Sequence, residues 1–157
     1  MGRRRREPLG GQLPPEVGWE LAGKRLRATS IPVQWSALDG QSLPFPDDSY
    51  DAALSTWTLC TIPDVATALT EVRRVLKPGG TFHFVEHGLA PDEKVQKWQH
   101  RMEPLEKKVA GGCHFTRQIA NLITDAGFEI TELDVFYEKG TPKLAGADSL
   151  GVAVSPS

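Results

Sequence analysis

Apolar and polar positions along the chain follow two rhythms, and each stretch of the sequence keeps mostly to one. Residues 50–57, YDAALSTW, form a short apolar run that ends in polar residues, as a buried parallel strand does. Pro63-Asp64 then stops the chain, and Asp64 stands as the N-cap of a helix. Val65, Ala68, Leu69, Val72 and Leu76 recur at helical spacing and make one apolar stripe. Pro78-Gly79-Gly80 is the expected end of that helix, and residues 81–85 resume a β-rich run. The pattern predicts a β-α-β unit, whose crossover is right-handed.

The flanking stretches extend this α/β pattern. Residues 18–29 predict a helix with Trp19, Ala22 and Leu26 on one face. Residues 33–38 predict a short strand running into Asp39-Gly40. A helix is expected over residues 92–102. Val95, Trp98, Met102, Leu105 and Val109 continue an apolar seam through it, with Pro104 expected to kink or restart the helix. Thr116 is the expected cap of a further helix to Ala126, with Ile119, Ala120, Ile123 and Ala126 inward and Gly127 as its stop. Residues 128–137 and 150–154 read as two strands of a hairpin around a loop at 142–149.

Composition narrows the class. A chain of 157 residues fits one domain, and 18 basic against 20 acidic residues leave it nearly neutral, which speaks against nucleic acid as a partner. No apolar run approaches the length of a membrane span, so no membrane role is expected. Two cysteines far apart in sequence, Cys60 and Cys113, suit a reducing cytoplasm better than a disulfide framework. Residues 1–17, basic and rich in Gly and Pro, are expected to be disordered, which leaves residues 18–157 as the domain. Arg3 to Arg6 lack the interleaved aromatics of a nucleic-acid arm.

LPFPDDSYD, EVRRVLKPGG and a following strand that ends in an acid together resemble the class I S-adenosylmethionine-dependent methyltransferases. The likeness is to the small-molecule branch (the methyltransferase type 11 domain) that includes the ubiquinone and menaquinone methyltransferases. VRRVLKPGGTFHFVEH and GGCHFTR are similar to methyltransferase-like proteins associated with alkyl thiol methylation. The resemblance covers residues 19–154. It implies a partial doubly wound, Rossmann-like sheet with S-adenosylmethionine as cofactor. It also implies methyl transfer to a small-molecule acceptor, a thiol among the candidates, and a C-terminal antiparallel strand pair. A nicotinamide-dependent oxidoreductase is disfavoured by RVLKPGG and by the lack of GxGxxG.

The family anchors its cofactor with a glycine-rich loop, an acid on the ribose and an acid on the adenine. Asp39 in LDGQSLPF stands where the resemblance places the adenine acid, framed by Leu38 and Gly40. Ser55, Thr56 and Trp57 stand where cofactor-facing backbone is expected, and His87, after Glu86, is the candidate to remove a proton from the acceptor. No glycine-rich loop precedes Asp39, and Glu16 is a poor substitute for the ribose acid. The chain therefore reads as N-terminally truncated, its sheet lacking the first two strands, with impaired activity or a non-catalytic remnant as the rival. The strand at residues 52–56 would keep an open edge through which copies could associate. No metal site is expected: Cys113-His114 supplies too few ligands, Cys60 reads as a small buried hydrophobe, and Arg117 has a structural role.

Overall fold

The computed structural model describes residues 15–34, 39–109, 112–143 and 147–157. Its elements are α1 (Pro15–Ala28), β1 (Tyr50–Thr56), α2 (Val65–Val75), β2 (Leu76–Gly88), α3 (Glu93–Val109), α4 (Ile119–Asp125), β3 (Glu129–Phe136) and β4 (Ala147–Val154). The strands form one sheet in the order β1-β2-β4-β3. β1 runs parallel to β2, with Ala53 opposite Phe82 and Ser55 opposite Phe84. β2 and β3 both run antiparallel to β4. The predicted α/β class, the β-α-β unit and the closing hairpin are all present, and the arrangement is Rossmann-like.

Burial on one sheet face explains the alternation in β2. Phe82, Phe84 and Glu86 are buried, whereas His83 between them is exposed. Phe82 and Phe84 pack with Leu59, Leu69, Leu76, Ile119, Ile123, Phe128 and Ala153 beneath α2 and α4. Gly151 on β4 leaves room for Phe84, because a Cβ there would meet the ring at 2.5 Å and the carbonyl of Glu132. Across the other face Leu54 and Leu150 are exposed, and with His83 and Val152 they line an open groove of about 580 Å³. Among the described residues β1 pairs with β2 alone.

Asp64 caps α2 as expected: its carboxylate accepts from the Thr67 N–H at 3.0 Å and from the Thr67 hydroxyl at 2.7 Å. The helix nevertheless ends at Val75 rather than at Pro78-Gly79-Gly80, and Leu76 is already extended. Proline disfavours α geometry in the residue before it, so β2 begins earlier and runs longer than residues 81–85. Gly79 takes φ +79° and its N–H donates to the Ser155 carbonyl at 2.7 Å.

Other expectations need correction. α1 begins at Pro15, three residues before the expected start, because proline is pre-organised for the first helical turn. Val33 and Gln34 form no strand, and Val33 is exposed; the rest of the expected strand, with Leu38, lies outside the described residues. α3 runs unbroken through Pro104. Its seam does not face the core, since Trp98, Met102 and Leu105 are all exposed. The buried residue of α3 is Gln99 instead. Thr116 caps nothing: α4 starts after Gln118, and the Thr116 hydroxyl donates to Glu103 at 2.6 Å. The expected disordered start at residues 1–14 lies outside the described residues. No helix among the described residues is long and apolar enough to cross a membrane.

Candidate active site

The C-terminal ends of β1 and β2 lie side by side, and Glu86 gathers the loop that leaves β1. It is fully buried. One carboxylate oxygen accepts from the Ser55 hydroxyl at 2.5 Å, and the other accepts from the N–H groups of Thr58 and Leu59, each at 2.9 Å. Burial raises its pKa, and these donors pull it back down. The inward alternation Phe82, Phe84, Glu86 was the sequence signal for this role. An acid on the buried side of a strand needs partners, and here they are backbone N–H groups of the next loop.

Trp57 follows β1 directly at φ +47°, an uncommon conformation for a bulky residue. Its N–H pairs with the Val85 carbonyl at 2.9 Å, and its indole N–H donates to the buried Asp148 carboxylate at 3.1 Å. The ring itself is exposed, as is Thr56. Of the three residues expected to face the cofactor here, Ser55 is thus a partner of Glu86 and Trp57 a partner of Asp148.

Asp39 opens a turn rather than ending a described strand. Its Oδ1 accepts from the Gln41 N–H at 3.0 Å, and its carbonyl accepts from the Ser42 N–H at 3.0 Å. Oδ2 has no partner among the described residues. The turn is tied to the loop after β1, because Gln41 Oε1 accepts from the Asp64 N–H at 2.8 Å. A Cβ on Gly40 would lie 3.5 Å from Ile62, so this turn packs on the same loop. Asp39 and Gly40 are therefore held at the end of the sheet where Trp57 emerges.

His87 is brought next to two residues that the sequence reading treated separately. Its Nδ1 lies 3.5 Å from Cys113 Sγ, and the ligand atoms of Cys60, His87 and Cys113 all lie within 4.8 Å of one another. Both cysteines are buried, and His87 is half-buried. The hydrogen bond from Cys113, then the His87 ring and the Arg117 charge, hold the Cys60 thiol down at about 5 against the effect of burial. Adjacent Cys113 and His114 part company: His114 Nδ1 lies 3.2 Å from Glu103, and its N–H donates to the Cys60 carbonyl at 2.8 Å. Arg117 donates to the carbonyls of Leu59 and, at 3.4 Å, of Pro63. Its structural role in joining the 113–117 segment to the loop after β1 is as expected.

Comparison with known proteins places this geometry. Residues 16–84 match the family model described as a methyltransferase domain. This match, together with the relatives and the fold, supports a class I S-adenosylmethionine-dependent methyltransferase domain. It is 38% identical over 89 residues to the thiol S-methyltransferase TMT1B of Rattus norvegicus, covering 56% of this chain and 36% of that protein. It is 44% identical over 61 residues to a 2-phytyl-1,4-naphtoquinone methyltransferase of Synechococcus elongatus, covering 38% of this chain and 26% of that one. The chain thus spans about a third or less of these relatives (36% and 26% of their lengths). Among solved structures, an S-adenosylmethionine-dependent methyltransferase of Methanosarcina mazei superposes with a TM-score of 0.61 at 25% identity. That match covers 87% of this chain and 76% of the other.

Asp39 is exposed in a turn tied through Gln41 to Asp64, and its carboxylate is of the acceptor type that an exocyclic amine requires.

Proposed function

We propose that this end of the sheet serves methyl transfer from S-adenosylmethionine to a small-molecule acceptor, with a thiol as the favoured class. The observation that carries the reading is the Asp39 turn, tied through Gln41 to Asp64, with one carboxylate oxygen that has no partner among the described residues. The thiol rests on the rat relative, a thiol S-methyltransferase by name. Bound there, the cofactor would supply a sulfonium-activated methyl group. Asp39 would accept the exocyclic amine of adenine, Gly40 would let the ring approach, and the Trp57 ring would offer a stacking face. Glu86 fixes Ser55 near the end of β1 and the Thr58 and Leu59 N–H groups of the loop that follows, so that little reordering accompanies binding. In the metal-free chain, His87 would be the residue to take a proton from the acceptor.

Asp39 is one anchoring device of the three that the family uses. A charge-assisted contact is worth about 1.5–3 kcal/mol, and about 1.4 kcal/mol is tenfold in affinity. Weak cofactor binding and low turnover are the expectation for this chain, and the rival is a methyltransferase-fold binding module without turnover. The sequence feature that favours the rival is the lack of any GxG run. Self-association through the free side of β1 belongs to the same reading, because among the described residues β1 pairs with β2 alone.

Calorimetry of the full chain with S-adenosylmethionine, combined with methyl transfer to 2-mercaptoethanol, tests the proposal. Binding weaker than about 100 µM that is lost in Asp39→Ala is expected. Binding that Asp39→Ala leaves unchanged would remove Asp39 from the site. Cofactor binding with no methylated thiol would favour the binding module.

A further inference from the structure

The cluster of Cys60, His87 and Cys113 carries an inference that does not depend on methyl transfer. These residues are separated by 26 or 27 positions along the chain, yet three elements deliver them to one point. Cys60 lies in the loop after β1, His87 near the end of β2, and Cys113 in the segment between α3 and α4. Each is held from outside the cluster. The Cys60 carbonyl accepts from the His114 N–H, so the loop and the 113–117 segment are fastened together at the site. His87 is fixed by the β2–β4 ladder, opposite Asp148. Arg117 is occupied by the Leu59 and Pro63 carbonyls. Gly88 and Leu89 follow His87 directly, and the Leu89 N–H donates to the Arg117 carbonyl at 2.9 Å, a second tie across the same seam.

We propose that Cys60, His87 and Cys113 form a zinc site with three protein ligands and a fourth position left for water or an exogenous thiolate. Two sulfurs and an imidazole nitrogen are a borderline-soft donor set, suited to Zn²⁺ and not to Mg²⁺ or Ca²⁺, which take oxygen ligands. Tetrahedral zinc, with bonds of about 2.3 Å to sulfur and 2.0–2.1 Å to nitrogen, sets its sulfur and nitrogen ligands about 3.6 Å apart. Cys113 Sγ and His87 Nδ1 already stand at 3.5 Å. The full set, within 4.8 Å, needs only a side-chain adjustment to close to the sulfur–sulfur edge of about 3.8 Å. Two thiolates balance the charge of the ion. Three protein ligands with one open position are the arrangement of catalytic rather than purely structural zinc.

The test uses the full, reduced, metal-free chain with Zn²⁺ or Co²⁺ alone. Titration against a chromophoric chelator should show one Zn²⁺ per chain and a rise in melting temperature with added zinc. Co²⁺ should give the intense near-ultraviolet bands of thiolate coordination and the visible bands of a tetrahedral site, both lost on adding Zn²⁺. Cys60→Ser, Cys113→Ser and His87→Ala should each weaken zinc by more than the about 10–100-fold typical of losing an outer partner. The wild-type cobalt spectrum decides even if a variant fails to fold. Absence of thiolate bands, or unchanged zinc affinity in a folded Cys60→Ser/Cys113→Ser chain, would overturn the site.

Discussion

Arg74 Nη1 lies 2.6 Å from Asp47 Oδ1, and this pair joins the two sequence motifs that carry the family resemblance. The same guanidinium donates to the Phe45 and Leu43 carbonyls, each at 2.9 Å, and to Glu71 at 2.7 Å. Glu71 in turn accepts from the Leu43 N–H at 2.8 Å. LPFPDDSYD and EVRRVLKPGG are therefore one physical unit: an extended segment strapped along α2. The segment leads from the Asp39 turn into β1, so the strap helps set where Asp39 stands. Arg74→Lys keeps the charge but loses the planar fork that reaches four acceptors, and it should lower the melting temperature clearly. Arg74→Ala should lower it further. Equal melting temperatures for the two variants and wild type would refute the role.

The same knot gives a pH dependence. The Arg74 hydrogen bond, then the Leu43 N–H, holds the Glu71 carboxyl down at about 2. A carboxyl depressed on folding contributes stability above its unfolded pKa, about 4.3, and loses it as the pH falls through the folded value. The stability gap between wild type and Glu71→Gln should be widest above about pH 5 and should narrow towards pH 2. Denaturant melts at a series of pH values check this. A gap constant from pH 7 to pH 2 would contradict it.

Glu86 should tolerate little change. In Glu86→Gln an amide N–H₂ replaces an oxygen that faces backbone donors, leaving a buried donor unmatched. A loss of about 1–3 kcal/mol is expected in urea unfolding. Ser55→Ala removes one donor while the Thr58 and Leu59 N–H groups remain, so its effect should be smaller, about 1 kcal/mol. A larger loss from Ser55→Ala than from Glu86→Gln would reverse the assigned order.

The two glycines after Pro78 are required for different reasons. Gly79 sits at φ +79° with open space around it, so Gly79→Ala costs only the left-handed conformation, about 1–2 kcal/mol. Gly80 has no such torsion, but a Cβ there would stand 2.9 Å from the Lys77 carbonyl and 3.2 Å from that of Asp51. Gly80→Val should therefore be the more damaging. Lys77→Ala should change stability by less than about 0.5 kcal/mol, although its ammonium lies 2.6 Å from Asp51, because both side chains are exposed. Thermal melts of the three variants would show whether this ranking holds.

Local chemistry made part of this legible in the sequence. Asp64 before an apolar stripe, Gly127 after one, and the alternation in β2 each state a local preference that tertiary packing then uses. Asp39 could be singled out as a candidate because a motif follows it. The cluster of Cys60, His87 and Cys113 was not, since only the sheet register and the 113–117 segment bring its members together. The role of Arg74 was equally hidden, because two of its acceptors are backbone carbonyls 29 and 31 residues upstream. The seam of α3 shows the limit of periodicity. It correctly identified a helix with one apolar side, but periodicity cannot say whether that side is covered.

The buried tie that holds α3 in place is the Gln99 amide, beside the more exposed contacts of Gln96 and Glu103, and this leads to the last prediction. Gln99 is fully buried, and its Oε1 accepts from the Ala90 N–H at 3.0 Å. Its Nε2 donates to the carbonyls of Gly88 at 3.3 Å and Phe115 at 3.2 Å. Those three groups belong to the end of β2, the turn after it and the 113–117 segment. One side chain thereby joins the helix to both pieces of backbone that carry His87 and Cys113. Gln99→Leu is close in size and more apolar, so a simple burial argument predicts stabilisation. The hydrogen-bond argument predicts the reverse, because one buried N–H and two carbonyls lose their partner at about 1–3 kcal/mol per unsatisfied group. Gln99→Leu should therefore destabilise the chain, and Gln99→Glu should destabilise it too, since a carboxylate would face two carbonyls. Amide hydrogen exchange adds a local readout: the Ala90 N–H should exchange faster in both variants relative to the core amides of Phe82 and Phe84. A stable Gln99→Leu chain with an unchanged Ala90 amide would mean that α3 is held by something other than this amide.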